Sequence, residues 1–164
     1  IYDNLCSSAK EYLDSLGMEL SITVRLHQRH ESAPSAHRGV LMLYNTGAIK
    51  NPNTRNSILD INHVKPYVKS VDYPIPLDYA YPAFGWGVLF DSDNFVSIVN
   101  ENDTTDSPTK SIRKERPTTA EIMAVKQLVE EKLGKPDNCN IIYHLDNTQL
   151  QNYSDYEISQ ILSF

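Results

Sequence analysis

The apolar positions of this chain follow two periods in turn. Leu5, Ala9, Tyr12, Leu13 and Leu16 recur at helical spacing, and Gly17 is placed to end that helix. Leu20, Ile22, Val24 and Leu26 then alternate with Ser21, Thr23, Arg25 and His27, which predicts a strand over 20–27 with one apolar and one polar face. Residues 28–38 are polar, contain Pro34 and read as a loop, with no helical turn expected between the first two strands. Val40 to Tyr44 is a continuous apolar run, as in a strand covered on both sides, and Asn45-Thr46-Gly47 ends it. Asp60 can cap a helix through Ile61, Val64, Tyr67 and Val68, and Pro66 inside that segment shortens or kinks it.

A third strand is predicted at 77–81, within the run Ile75 to Tyr81, and closes at Pro82. Trp86–Phe90 and Phe95–Val99 flank a polar turn and predict an inserted β-hairpin, after which 100–117 reads as a flexible polar loop. Thr118 with Glu121 and Ser154 with Glu157 form capping boxes that open two more helices. Between them Ile141-Ile142-Tyr143 is the core of a fourth strand, over 140–146. Alternation of this kind implies an α/β fold, with parallel strands joined by helical crossovers. At about 30 residues per unit, 164 residues accommodate four consecutive βα units of a TIM-barrel-like fold plus the hairpin, as one domain over 1–164. Four strands cannot close a barrel and leave two open edges. Those edges call for a partner, either a missing half or another copy of the chain.

Composition narrows the function classes. The net charge of −6 argues against a nucleic-acid binder, which needs clustered excess Lys and Arg. The basic cluster Lys110, Arg113, Lys114 and Arg116 follows acidic residues and reads as part of the solvated loop. Cys6 and Cys139 have no metal-ligand spacing and read as small core residues; no metal or cofactor motif is present. No apolar run approaches the ~20 residues that span a bilayer. The chain opens Ile1-Tyr2-Asp3 without an initiator Met, so its N-terminus is expected upstream.

In α/β barrels the working groups sit at the C-terminal ends of the strands. That rule selects Arg25 and His27 after the first strand, Tyr44 and Asn45 after the second, and Tyr81 and Trp86 after the third, with Asp78 lower down. His144 and Asp146 follow the fourth. These residues are expected around one mouth, with Arg25 and Asp78 close enough to pair. Each has a plainer reading: Asp78 as the neutraliser of a neighbouring charge, Trp86 as core, and Asp146 as the cap of the loop after its strand. No closely spaced strand-end carboxylate pair of the kind glycoside hydrolysis uses is present.

The segment Leu41-Met42-Leu43-Tyr44-Asn45 resembles the sixth-strand M-x-Y-D signature of family 18 glycoside hydrolases (chitinase-like), with Asn45 in place of the usual Asp. Ala80 to Trp86 resembles the seventh-strand segment of that family, after which an insertion usually follows. Arg25-Leu26-His27-Gln28, Met42 to Gly47 and Pro76 to Phe90 are also similar to stretches of uncharacterised Bacteroides-type proteins expected to be barrels of this kind. The resemblance implies the C-terminal half of a (β/α)8 barrel that acts on or binds a glycan. It makes Tyr44 and Asn45 residues that assist by holding the substrate's N-acetyl group. The family's D-x-x-D-x-D-x-E motif is absent here, so the catalytic acid would lie outside this chain. The alternative is a non-catalytic carbohydrate-binding or structural protein on the same scaffold.

Overall fold

The computed structural model describes residues 2–69, 73–144 and 146–163. Its element order is α1 (Tyr2–Ser15), β1 (Ser21–Arg25), a 3-10 helix (Leu26–His30), β2 (Arg38–Met42), α2 (Ile61–Val64), β3 (Leu77–Pro82), β4 (Trp86–Asp91), β5 (Asn94–Val99), β6 (Lys110–Glu115), α3 (Thr119–Leu133), β7 (Asn140–Tyr143), α4 (Asn147–Leu150) and α5 (Asp155–Leu162). β1, β2, β3 and β7 form a four-stranded sheet in that order, and every pair in it is parallel. A separate antiparallel sheet, ordered β5-β4-β6, is inserted between β3 and β7.

One face of the parallel sheet is the core. Ile22, Val24, Leu41, Leu43, Tyr79 and Tyr81 pack there with Ile122, Val125 and Val129 of α3 and Ile161 of α5. The strand alternation places the other residues on the opposite face, where Ser21, Thr23 and Arg25 are exposed and Val40 and Met42 half-buried. The capping boxes form as expected: Thr118 with Glu121 opens α3, and Ser154 with Glu157 opens α5. In the β4–β5 turn Ser92 and Asp93 have φ of 47° and 66°, the paired positive values of a tight hairpin turn.

Several details differ from the pattern along the chain. The stretch expected as a loop over 100–117 contains β6, which pairs with β4 from Trp86↔Glu115 to Asp91↔Lys110. The hairpin is therefore two strands of a three-stranded sheet. Polarity concealed β6, because the side of it turned to the interior carries Arg113 and Glu115, which neutralise one another there. The strand expected over 20–27 ends at Arg25, and a 3-10 helix over Leu26–His30 takes its last two residues and the start of the expected loop. The strand expected over 140–146 ends at Tyr143, and Leu145 lies outside the described residues.

Helix α1 also departs from its pattern. Cys6 is buried and Ala9 and Leu13 are half-buried, while Leu5 and Tyr12 are 65% and 66% exposed. The helix carries two apolar stripes one residue apart, and the sheet takes the narrower one. Leu41→Ala is expected to lower unfolding stability by about 2–5 kcal/mol, because its site cannot collapse around the lost atoms. Leu5→Ala should change it by less than about 0.5 kcal/mol. Equal losses in urea denaturation would show that this division between core and surface is wrong.

Candidate functional site

Parallel strands present their C-terminal ends on one side of the sheet, and two adjoining features form there. The first is a cavity of about 340 Å³ between the ends of β1 and β2, lined by Arg25, Leu26, His27, Met42, Tyr44, Asn45, Thr46, His63 and Tyr67. Its walls follow from register: Arg25 pairs with Met42 across the ladder, and Tyr44 stands two residues further on. Buried Leu26 anchors the 3-10 helix that carries His27, and the Gln28 side chain accepts from the Arg25 backbone N–H at 2.8 Å. Asn45 takes φ 55°, a left-handed turn that Asn tolerates well, and so turns the chain beyond β2 beside the cavity.

The second feature is an aromatic platform. Tyr44 and Tyr143 stack with centroids 4.8 Å apart and planes 8° apart. Tyr44 lies just past the end of β2 and Tyr143 ends β7, with Pro82 of β3 paired to Tyr143 between them. Phe84 lies beneath at 5% exposure, edge-on to Tyr44 and Tyr143 and tilted against Trp86 and His144. Tyr143 is 46% exposed, so the platform is open to a ligand. Tyr44 belongs to both features. Burial first, and Tyr143 second, push its phenol up to about 12, so it keeps its proton at neutral pH.

A buried carboxylate holds this region to the antiparallel sheet. Glu115 Oε2 accepts from the Ser57 backbone N–H (2.9 Å), Ser57 Oγ (2.5 Å) and Trp86 Nε1 (2.9 Å), and Oε1 accepts from Arg113 Nε (2.5 Å). Arg113 donates onward to the carbonyls of Asn51 and Ile49. A second junction joins Arg116 to Glu101 and to Gln149 Oε1, which also accepts from Gly85 N–H at 2.9 Å. The backbone passes so close at Gly85 that a Cβ there would lie 2.8 Å from the Glu115 carbonyl oxygen. Neither junction is legible in the sequence, because each joins residues from three or more segments. The adjacent charged residues of β6 were the available signal.

The sequence-derived candidates divide accordingly. Arg25, His27, Tyr44 and Asn45 line one cavity, and Trp86 and His144 reach it through Phe84 and the stacked tyrosines. Trp86 is half-buried and tied to Glu115, and Gly87 beside it admits Ile112 and Val99 at close range. Asp78 stands at the opposite end of β3 and does not pair with Arg25. Its Oδ1 accepts from the backbone N–H groups of Asn138 and Cys139, and its Oδ2 faces Arg38 at 3.4 Å. Arg38 starts β2, next to the start of β3, whereas Arg25 ends β1; the register keeps Arg25 and Asp78 apart. Tyr81 is fully buried on the helix-covered face and does not reach the mouth. Asp146 caps α4 through Thr148 and Gln149, and those hydrogen bonds, the Thr148 hydroxyl's first, hold its carboxyl below the usual carboxylate range.

Among the described residues no group of three or more His, Cys, Asp or Glu converges on a metal position, and no helix is long and apolar enough to cross a membrane. No family model matches this chain, and no curated protein or solved structure matches it either. The functional reading therefore stands on the site's own geometry.

Two outcomes test this account. Glu115→Ala strands the Arg113 charge and three donors, and is expected to cost about 3–5 kcal/mol. The emission of Trp86, the single tryptophan, should shift in the same variant while the fold is still populated. A loss under about 1 kcal/mol in denaturant titration would remove Glu115 from this role. The second test is alkaline. Burial pushes both Tyr44 and Tyr79 up to about 12, above their unfolded value of 10.0. Their contribution to stability is complete below pH 10 and is lost as pH rises through 12. Tyr79→Phe should flatten that alkaline decline, and an unchanged slope would contradict the assignment.

Proposed function

We propose that this chain is the C-terminal half of a chitinase-like (β/α)8 barrel and binds a glycan across the Tyr44–Tyr143 platform and the cavity beside it. The observation that carries the reading is the stacked, half-open tyrosine pair at the C-terminal ends of parallel strands. Aromatic rings of this kind offer an apolar face to the C–H groups of a pyranose while their hydroxyls stay in water. Asn45, Thr46 and His63 supply polar groups for sugar hydroxyls along the cavity wall. The Tyr44 phenol, protonated at neutral pH, is suited to donate to an acetamide carbonyl.

The half-barrel reading draws support from the sheet. Its strands follow sequence order, and β1 and β7 each pair with one strand only among the described residues. Further strands, from the remainder of a barrel or from another copy of the chain, would satisfy both edges. Among the described residues no carboxylate lines the cavity. Hydrolysis would take its acid from outside this chain, and without one the same site serves a non-catalytic binder.

Calorimetric titration with chitotetraose tests the proposal. Binding is expected, and Tyr143→Ala should weaken it about ten-fold, the equivalent of ~1.4 kcal/mol of lost stacking. Titrations that show no heat with neutral or acidic oligosaccharides would overturn the reading. So would binding that Tyr143→Ala leaves intact.

A further inference from the structure

Resting on the glycan reading, we infer that the cavity beside the platform takes the carboxylate of an acidic sugar, so that the preferred ligand is a uronate-bearing glycan. The chain as a whole carries 21 Asp and Glu against 15 Lys and Arg, yet among the described residues no acidic side chain lines this cavity. Arg25, His27 and His63 line it instead. A cavity so constituted repels no anion and offers one permanent positive charge.

The state of Arg25 sharpens the point. Arg38, Arg55, Arg113 and Arg116 each meet a carboxylate of this chain. The Arg25 guanidinium makes no hydrogen bond or ion pair among the described residues. Its strand position is nevertheless fixed, by pairing with Met42 and by the Gln28 contact to its backbone. A guanidinium presents paired N–H groups that match the two oxygens of a planar carboxylate, so a bidentate contact is available there. Tyr44 then forms the wall shared with the platform, which lets one sugar ring lie against the tyrosines while its carboxylate turns toward Arg25. The volume of about 340 Å³ falls at the small end of ligand sites, which run from about 300 to 1,000 Å³.

A hyaluronan tetrasaccharide, which alternates glucuronate with N-acetylglucosamine, is the probe, compared by calorimetry with its methyl ester. The ester keeps the ring shapes and removes the charge. The free acid is expected to bind at least about ten-fold more tightly, with the margin shrinking as salt is raised. Arg25→Gln should remove the acid's margin over the ester. Lys114→Gln, which removes a charge from β6 outside the cavity lining, should preserve the margin. Tyr143→Ala should weaken acid and ester alike, because it acts on the platform.

An ester that binds as tightly as the acid would overturn the inference and leave the platform reading standing. An acid margin that survives Arg25→Gln would overturn it as well. Failure of both probes to bind would overturn inference and platform together. The comparison of acid with ester uses the unaltered protein, so it does not depend on the folding of any variant.

Discussion

Glu115 brings together parts of the chain that have no other reason to meet. Its two oxygens take four donors, from Ser57 in the β2–β3 crossover, Trp86 at the start of β4, and Arg113 two residues earlier on its own strand. Removing a carboxylate from water is costly unless its lone pairs are filled, and a single cation seldom suffices. Here the neutral donors complete the shell. Arg113 in turn spends its other N–H groups on the crossover backbone and lies 5.0 Å over the Phe90 ring. The antiparallel sheet, the long crossover and the aromatic platform are thereby held at fixed positions relative to one another.

The parallel sheet sets the other limit. Helices α3 and α5 cover one face of it, and the C-terminal ends of its strands carry the aromatic and polar groups. Among its described residues the crossover from β2 to β3 contains only the four-residue α2, yet Ile58, Leu59, Val64 and Val68 are buried along it. Side-chain burial and the Ser57–Glu115 contact do there what a long helix does in a regular βα unit. That leaves the loop end beside Asn45 and Thr46 well supported, with Thr46 Oγ1 accepting from Asp60 N–H at 2.9 Å. A site built on such supports is preorganised, which favours a polar ligand that must be oriented as well as held.

Tyr44 joins the two halves of the site. Its ring stacks on Tyr143 and its edge meets Phe84, while the same side chain walls the cavity that holds Arg25 and His27. Burial favours the neutral phenol, so the hydroxyl is available as a donor and adds no negative charge to a cavity that no carboxylate of the described residues lines. In the proposed reading, shape recognition on the platform and charge recognition in the cavity act on adjacent parts of one ligand.

Local order was legible in the sequence. Alternation over Leu20 to Leu26, the apolar run from Val40, and the capping boxes at Thr118 and Ser154 each depend on neighbours in the chain, and each forms. The strand-end rule likewise located Arg25, His27, Tyr44 and Asn45, because parallel strands share a direction. Strand β6 escaped because its interior side is charged, and its burial is tolerable only once Ser57 and Trp86 have arrived from elsewhere. The choice between the two stripes of α1, the partnership of Asp78 with Arg38 in place of Arg25, and the burial of Tyr81 were decided by register and by which face the helices cover. Periodicity tells which residues share a face; only the packed structure decides which face is buried and which distant residue completes a buried charge.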